Sequence, residues 1–101
     1  MEKFMKTEKA LAERVAKYRE LTEQALGKVS VKKGISGKEE KIALDFLSMA
    51  RNYFNDAKHF EKEGKLDLAL AAFSYAHAWL DAGVRAGFLD GKGDDKLFTL
   101  P

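Results

Sequence analysis

The chain has 101 residues, 34% charged and 46% hydrophobic, with a formal net charge of +2 and both signs interspersed. That length suits one domain, the absence of cysteine excludes disulfides and thiolate metal sites, and the near-neutral balance gives no global pull towards nucleic acid or anionic membrane. No apolar run approaches the ~20 residues of a membrane span, and the charged opening MEKFMKTEKA lacks the apolar core of a signal peptide, so the expectation is a soluble, cytoplasmic protein with no membrane contact.

The first predicted element is a helix over about residues 2–27. Phe4, Leu11, Val15, Tyr18, Ala25 and Leu26, with Thr22 in phase, fall on one narrow stripe at the helical period. Their alternation of three and four suits a coiled-coil-like seam, and Gly27 is a plausible stop. Residues 28–38, KVSVKKGISGK, are broken by glycine and serine and are expected to be a loop. Ser36 followed by Glu39 has the spacing of a capping box that opens the next helix. The loop carries Lys28, Lys32, Lys33 and Lys38, a weak candidate for nucleic-acid or phosphate contact, without the spacing of a phosphate-binding loop.

The second predicted helix covers about residues 37–63. Ile42, Ala43, Phe46, Leu47, Met49, Ala50, Tyr53, Phe54, Ala57 and Phe60 make a broad stripe, wide enough to touch two neighbours. Gly64 stands where a helix C-cap glycine belongs, and so short a turn folds the third helix back antiparallel. That helix, about residues 65–87, differs from the others. Leu66, Leu70, Phe73, Ala76, His77, Leu80 and Val84 form its main stripe, while Leu68, Ala72, Tyr75, Trp79, Ala82 and Ala86 cover most of the reverse side. A helix apolar nearly all round is normally buried all round. Residues 88–101 are expected to be an irregular tail whose apolar Leu97, Phe98 and Leu100 dock on the bundle or on a partner. No strand-period pattern is visible anywhere. The abundance of Lys and Glu over Gln and Asn leans towards a heat-adapted source.

These elements predict an all-α protein, an up-down-up three-helix bundle in a single domain over residues 1–101. Leu68, Tyr75 and Trp79 are the candidate interface, because Tyr and Trp are favoured where one end is packed and the other wet. Their cover is expected either from the first helix and tail, or from a protein partner or second copy. His77 sits within the main stripe and needs a partner for its ring nitrogens. Asp81, one turn on, and Asp56 on the second helix complete a candidate polar cluster. A metal site is disfavoured: Asp56 and His59, with His77 and Asp81, faintly resemble half of a bundle dimetal centre, but His59 points outward and the first helix adds no inward carboxylate except, at its edge, Glu8. No catalytic residue, metal or cofactor is expected.

The tract YFNDAKHFEKEGKLDLALAAFSYAHAWLDAGVRAG resembles the signature of an archaeal family known as domain of unknown function 357. The positions that carry the likeness are Tyr53, Asp56, Ala57, Phe60 and Gly64, then Tyr75, Ala76, His77, Ala78, Trp79, Leu80, Asp81, Ala82 and Gly83. Leu97, Phe98 and Thr99 resemble the family's end, whereas the first helix matches only in kind. Ala78 departs from the glycine the family often has. The resemblance implies a small three-helix bundle, alone or beside a nucleotidyltransferase-like domain, and no established activity; it singles out Asp56, His77, Trp79 and Asp81 as the carriers of any shared function. A tetratricopeptide array is rejected because the first helix does not repeat the second and third. A helical nuclease of the HEPN type is rejected because Arg51 and His59 lack the required spacing.

The functional expectation is therefore a non-enzymatic protein-interaction or oligomerisation domain. The alternatives are an accessory enzyme or small-ligand binder using Asp56, His77 and Asp81, or a weak nucleic-acid binder through the basic loop.

Overall fold

The computed structural model describes the backbone from residue 2 to residue 101 and the side chains from residue 7 onward; Phe4, assigned to the first stripe, lies outside the described side chains. Three helices form, α1 (Glu2–Lys28), α2 (Gly37–Lys62) and α3 (Leu66–Arg85), in an all-α three-helix bundle. α2 and α3 make the most extensive pair, and α1 lies mainly against α3.

Local chemistry sets the helix ends. Ser36 accepts from the Glu39 backbone N–H while the Glu39 side chain accepts from the Ser36 N–H, the reciprocal box that satisfies two orphan donors. At the other end of α2, Gly64 takes φ +77°. Its N–H then reaches the Glu61 carbonyl at 3.1 Å, and the Lys65 N–H reaches Phe60 at 2.9 Å. α3 ends in the same way: Gly87, at φ +83°, donates to Val84, and Phe88 donates to Gly83. Both are Schellman closures, in which a left-handed residue lets the last carbonyls be satisfied.

The core falls into two clusters along the bundle. One, towards the α2–α3 turn, joins Val15, Phe54, Ala57, Ala69, Phe73 and Ala76. The other joins Ala25, Ala43, Leu47, Ala50, Leu80 and Val84 with Leu89, Leu97 and Phe98 of the C-terminal segment. Gly83 makes this second cluster possible. A Cβ there would stand 2.8 Å from Leu89 Cγ, closer than carbon atoms pack, so the bare helix surface is what admits the Leu89 side chain. Tyr18, placed on the apolar stripe of α1 by its spacing, is more than a third exposed and lies at the stripe's edge.

Two expectations are corrected. The segment read as an uninterrupted loop contains a strand, β1 (Ser30–Val31), paired antiparallel with β2 (Leu89–Asp90) in the segment read as irregular. The Lys32 N–H extends the ladder to the Phe88 carbonyl at 2.9 Å. Two-residue strands are too short to display a period of two, which is why they left no pattern. The second correction concerns the cover of α3, expected from α1 and the tail or from a partner: within the chain, α1 and the tail do not supply it. The outward face of α3 is open: Leu68 is 46% and Tyr75 48% exposed, and Ala71, Ala78, Ala82 and Ala86 are exposed beside them. α1 and the tail both lie on the opposite side, so neither supplies the cover.

Candidate functional site

α3 carries two features on opposite sides. From the inner side His77, Asp81 and Arg85 follow one another at intervals of about one turn, winding round to the exposed edge of the helix at Arg85, and each grips the tail. His77 Nε2 lies 2.6 Å from the Leu97 carbonyl oxygen. A carbonyl only accepts, so Nε2 carries the proton and donates. Nδ1 lies 3.1 Å from Thr22 Oγ1 of α1, and in the neutral imidazole it accepts from the threonine hydroxyl. Thr22 is fully buried, so this bond satisfies a polar group that has no water. One turn on, Asp81 Oδ1 accepts from the Thr99 N–H at 2.9 Å. Another turn on, the Arg85 guanidinium donates to the Leu100 carbonyl at 2.8 Å.

Of the polar cluster named from sequence, His77 and Asp81 are brought together, with Nε2 and Oδ1 3.9 Å apart. That is beyond hydrogen-bond range, and their hydrogen bonds go to the tail instead. The His77 side chain is 18% exposed, so it is only partly sealed. Asp56 is exposed and stands apart from the pair. Counting outward from the Gly64 turn, His77 is level with residues near Arg51, and the ~1.5 Å rise per residue leaves Asp56 more than one turn away. Sequence reasoning missed Thr22 and the Leu97 carbonyl as the histidine's partners. The signal for Thr22 was present, a lone polar residue in phase with the apolar stripe of α1. The backbone carbonyl left none.

The tail is itself held in shape by Asp94. Its Oδ1 accepts from the N–H groups of Lys96 and Leu97 at 3.0 Å each, and Lys28 at the end of α1 donates to its other oxygen at 2.8 Å. The Lys28 ammonium, followed by the backbone donor of Leu97, holds the Asp94 carboxyl below its ordinary value of 3.8. A carboxyl whose folded value is depressed adds stability that is complete above its unfolded value and lost as pH falls through the folded one. The amide resonances of Lys96 and Leu97 are therefore expected to stay in place between pH 7 and pH 5 and to move as pH drops below 3.8. NMR spectra in which they are fixed across that lower range contradict this account. Lys28 is thus engaged in the fold, while Lys32, Lys33 and Lys38 stay exposed. Among the described residues, no group of three or more His, Cys, Asp or Glu is placed to hold a metal ion, and no helix is long and apolar enough to cross a membrane.

On the outer side, aromatic rings from α2, α3 and the segment just after α3 meet edge to face in an unbroken row. Tyr53 meets Tyr75 with centroids 4.4 Å apart, Tyr75 meets Trp79 at 6.1 Å, Trp79 meets Phe46 at 5.1 Å, and Phe46 meets Phe88 at 6.0 Å. Such pairs align the positive ring edge with the negative face and fix each ring's orientation. Tyr75, Ala78, Trp79 and Ala82 line an open, almost wholly apolar cleft of about 230 Å³. The Trp79 indole nitrogen is buried and has no hydrogen-bond partner among the described residues. A buried donor without an acceptor costs about 1–3 kcal/mol, an expense with no compensation inside this bundle. All three residues named as the candidate interface lie on this outward side of α3: Leu68 and Tyr75 stand open, and Trp79 is part-buried against Phe46.

A family model described as protein of unknown function (DUF357) matches residues 17–89. The chain belongs to this family. The DUF357 match takes in Thr22, His77 and Asp81, all five rings of the row, and Gly83, and it ends before the tail residues that His77, Asp81 and Arg85 hold. No curated protein and no solved structure matches the chain at a significant level.

Proposed function

We propose that this DUF357 chain is a non-enzymatic protein-interaction domain that works through the outward face of α3. The observation that carries the reading is the contiguous exposed apolar surface of Leu68, Ala71, Tyr75, Ala78, Ala82 and Ala86, edged by the part-buried Trp79. Scattered exposed apolar residues are ordinary, but a continuous apolar helix face marks a contact surface. Tyr and Trp are the residue types most enriched where protein interfaces concentrate their energy. The polar residues on the other side of α3 are occupied with holding the tail, which accounts for them structurally and removes the main support for a ligand pocket built on His77 and Asp81.

The test is a Leu68→Glu, Tyr75→Glu double variant. Both positions are about half exposed, so the helical circular dichroism should match the unaltered chain, with the unfolding midpoint lowered only by the loss of the Tyr75 ring contacts. Association with a partner, whether a protein co-purified from the native host or a second copy, should disappear. A folded variant that keeps every association of the parent chain rules the reading out.

A further inference from the structure

We infer that the outward face of α3 pairs with the same face of a second copy, antiparallel, about a two-fold axis level with Ala76. The inference rests on the interaction reading above and names its partner. Leu68, Ala71, Tyr75, Ala78 and Ala82 recur at alternating intervals of three and four, and all are exposed. That alternation is the a/d seam of a coiled coil. It runs along the outward side of α3, where Tyr75 meets Tyr53 of α2 and the rest of the seam is exposed, so the helix carries one seam for its own bundle and a second that is largely open. The alanines let a facing helix approach at the short end of ordinary interhelical spacing.

Charge selects the occupant. Asp67 and Arg85 lie about five full turns apart, hence on the same flank of the seam, and are equidistant from Ala76. Asp67 is exposed and its carboxylate has no partner among the described residues; Arg85 is exposed and uses one guanidinium nitrogen on Leu100, leaving others free. A two-fold axis perpendicular to two antiparallel helices brings each flank against the same flank of the other copy. It therefore sets Asp67 of each chain opposite Arg85 of the other, twice. A parallel two-fold pair sets each flank against the opposite flank of the other copy and makes neither of these contacts. The acid-first, base-last order thus suits an isologous antiparallel pair and does nothing for the parallel one. The same antiparallel operation brings Leu68, the bulky end of the seam, level with residue 84 of the other copy, between Ala82 and Ala86 and beside the cleft of about 230 Å³ that Tyr75 and Ala82 help to line. Large meets small at both ends, and the Tyr75 side chains come together near the axis.

The experiment is sedimentation equilibrium on the whole chain and on Asp67→Lys and Arg85→Asp variants, alone and mixed. The parent chain is expected to be a dimer. Each variant alone replaces two attractions by two repulsions and should associate about tenfold more weakly. Mixed in equal amounts, the two variants should recover dimerisation as a heterodimer. The lysine introduced in one chain then faces the aspartate introduced in the other, and the Arg85 kept by the first faces the Asp67 kept by the second. Recovery on mixing cannot arise from misfolding, so it holds even where Arg85→Asp loosens the tail. A parent dimer indifferent to both substitutions, or no recovery on mixing, overturns the antiparallel arrangement. A monomeric parent that binds a host protein, and loses it in the Leu68→Glu, Tyr75→Glu variant, overturns the second copy as occupant while keeping the interaction reading. A monomer with no such binding sinks both.

Discussion

Truncating Phe73 to alanine is expected to remove about 3–5 kcal/mol of folding free energy, seen as a lowered urea midpoint at unchanged slope. Phe73 is fully buried and is the largest side chain so enclosed. Its ring meets Phe54 of α2 at a centroid distance of 5.5 Å and shares a cluster with Val15 of α1. It therefore lies in the cluster that joins all three helices. Small alanines surround it at positions 57, 69 and 76, and they offer little bulk to collapse into the vacancy. A domain of this size holds only about 5–15 kcal/mol in total, so the variant should be marginally folded at room temperature. A midpoint displaced by the equivalent of less than about 1 kcal/mol, an ordinary surface effect, would mean that the three helices do not converge on the cluster around this ring.

Replacing His77 by alanine should cost about 3 kcal/mol, since two buried polar groups lose their partner and each such loss is worth about 1–3 kcal/mol. The Thr22 hydroxyl is stranded inside the α1–α3 contact, and the Leu97 carbonyl is released at the start of the tail's grip on α3. Protection of the Leu97–Leu100 amides against hydrogen exchange should fall further than that of α2, because the tail detaches before the bundle opens. The association proposed for the outward face should persist, since that surface lies away from His77. Unchanged stability together with a lost binding activity would instead give the histidine a ligand-handling role and remove it from the architecture.

The three helices were legible because long amphipathic segments repeat their signal over many turns, and because Ser36, Glu39 and Gly64 mark α2 by side-chain and backbone chemistry that acts locally. Gly87 carried the same mark at the end of α3 and was passed over amid apolar neighbours. The β1–β2 pair was illegible because its stability comes from segments almost sixty positions apart, each too short to show periodicity. The excess apolar surface of α3 was legible, but whether it is covered was not. That depends on which side α1 takes, and a stripe on α1 does not say which face of the α2–α3 pair it will meet. His77 with Asp81 was correctly placed as neighbours by helical spacing. Their real partners were hidden because main-chain groups of a distant segment have no residue type to betray them.

That anonymity has a corollary. His77, Asp81 and Arg85 engage the tail only through a carbonyl, an N–H and another carbonyl, groups common to nearly every amino acid. The clasp reads the path of a peptide and ignores its spelling. Apart from the two apolar anchors Leu97 and Phe98, the three gripping side chains ask only for main-chain groups in the right places.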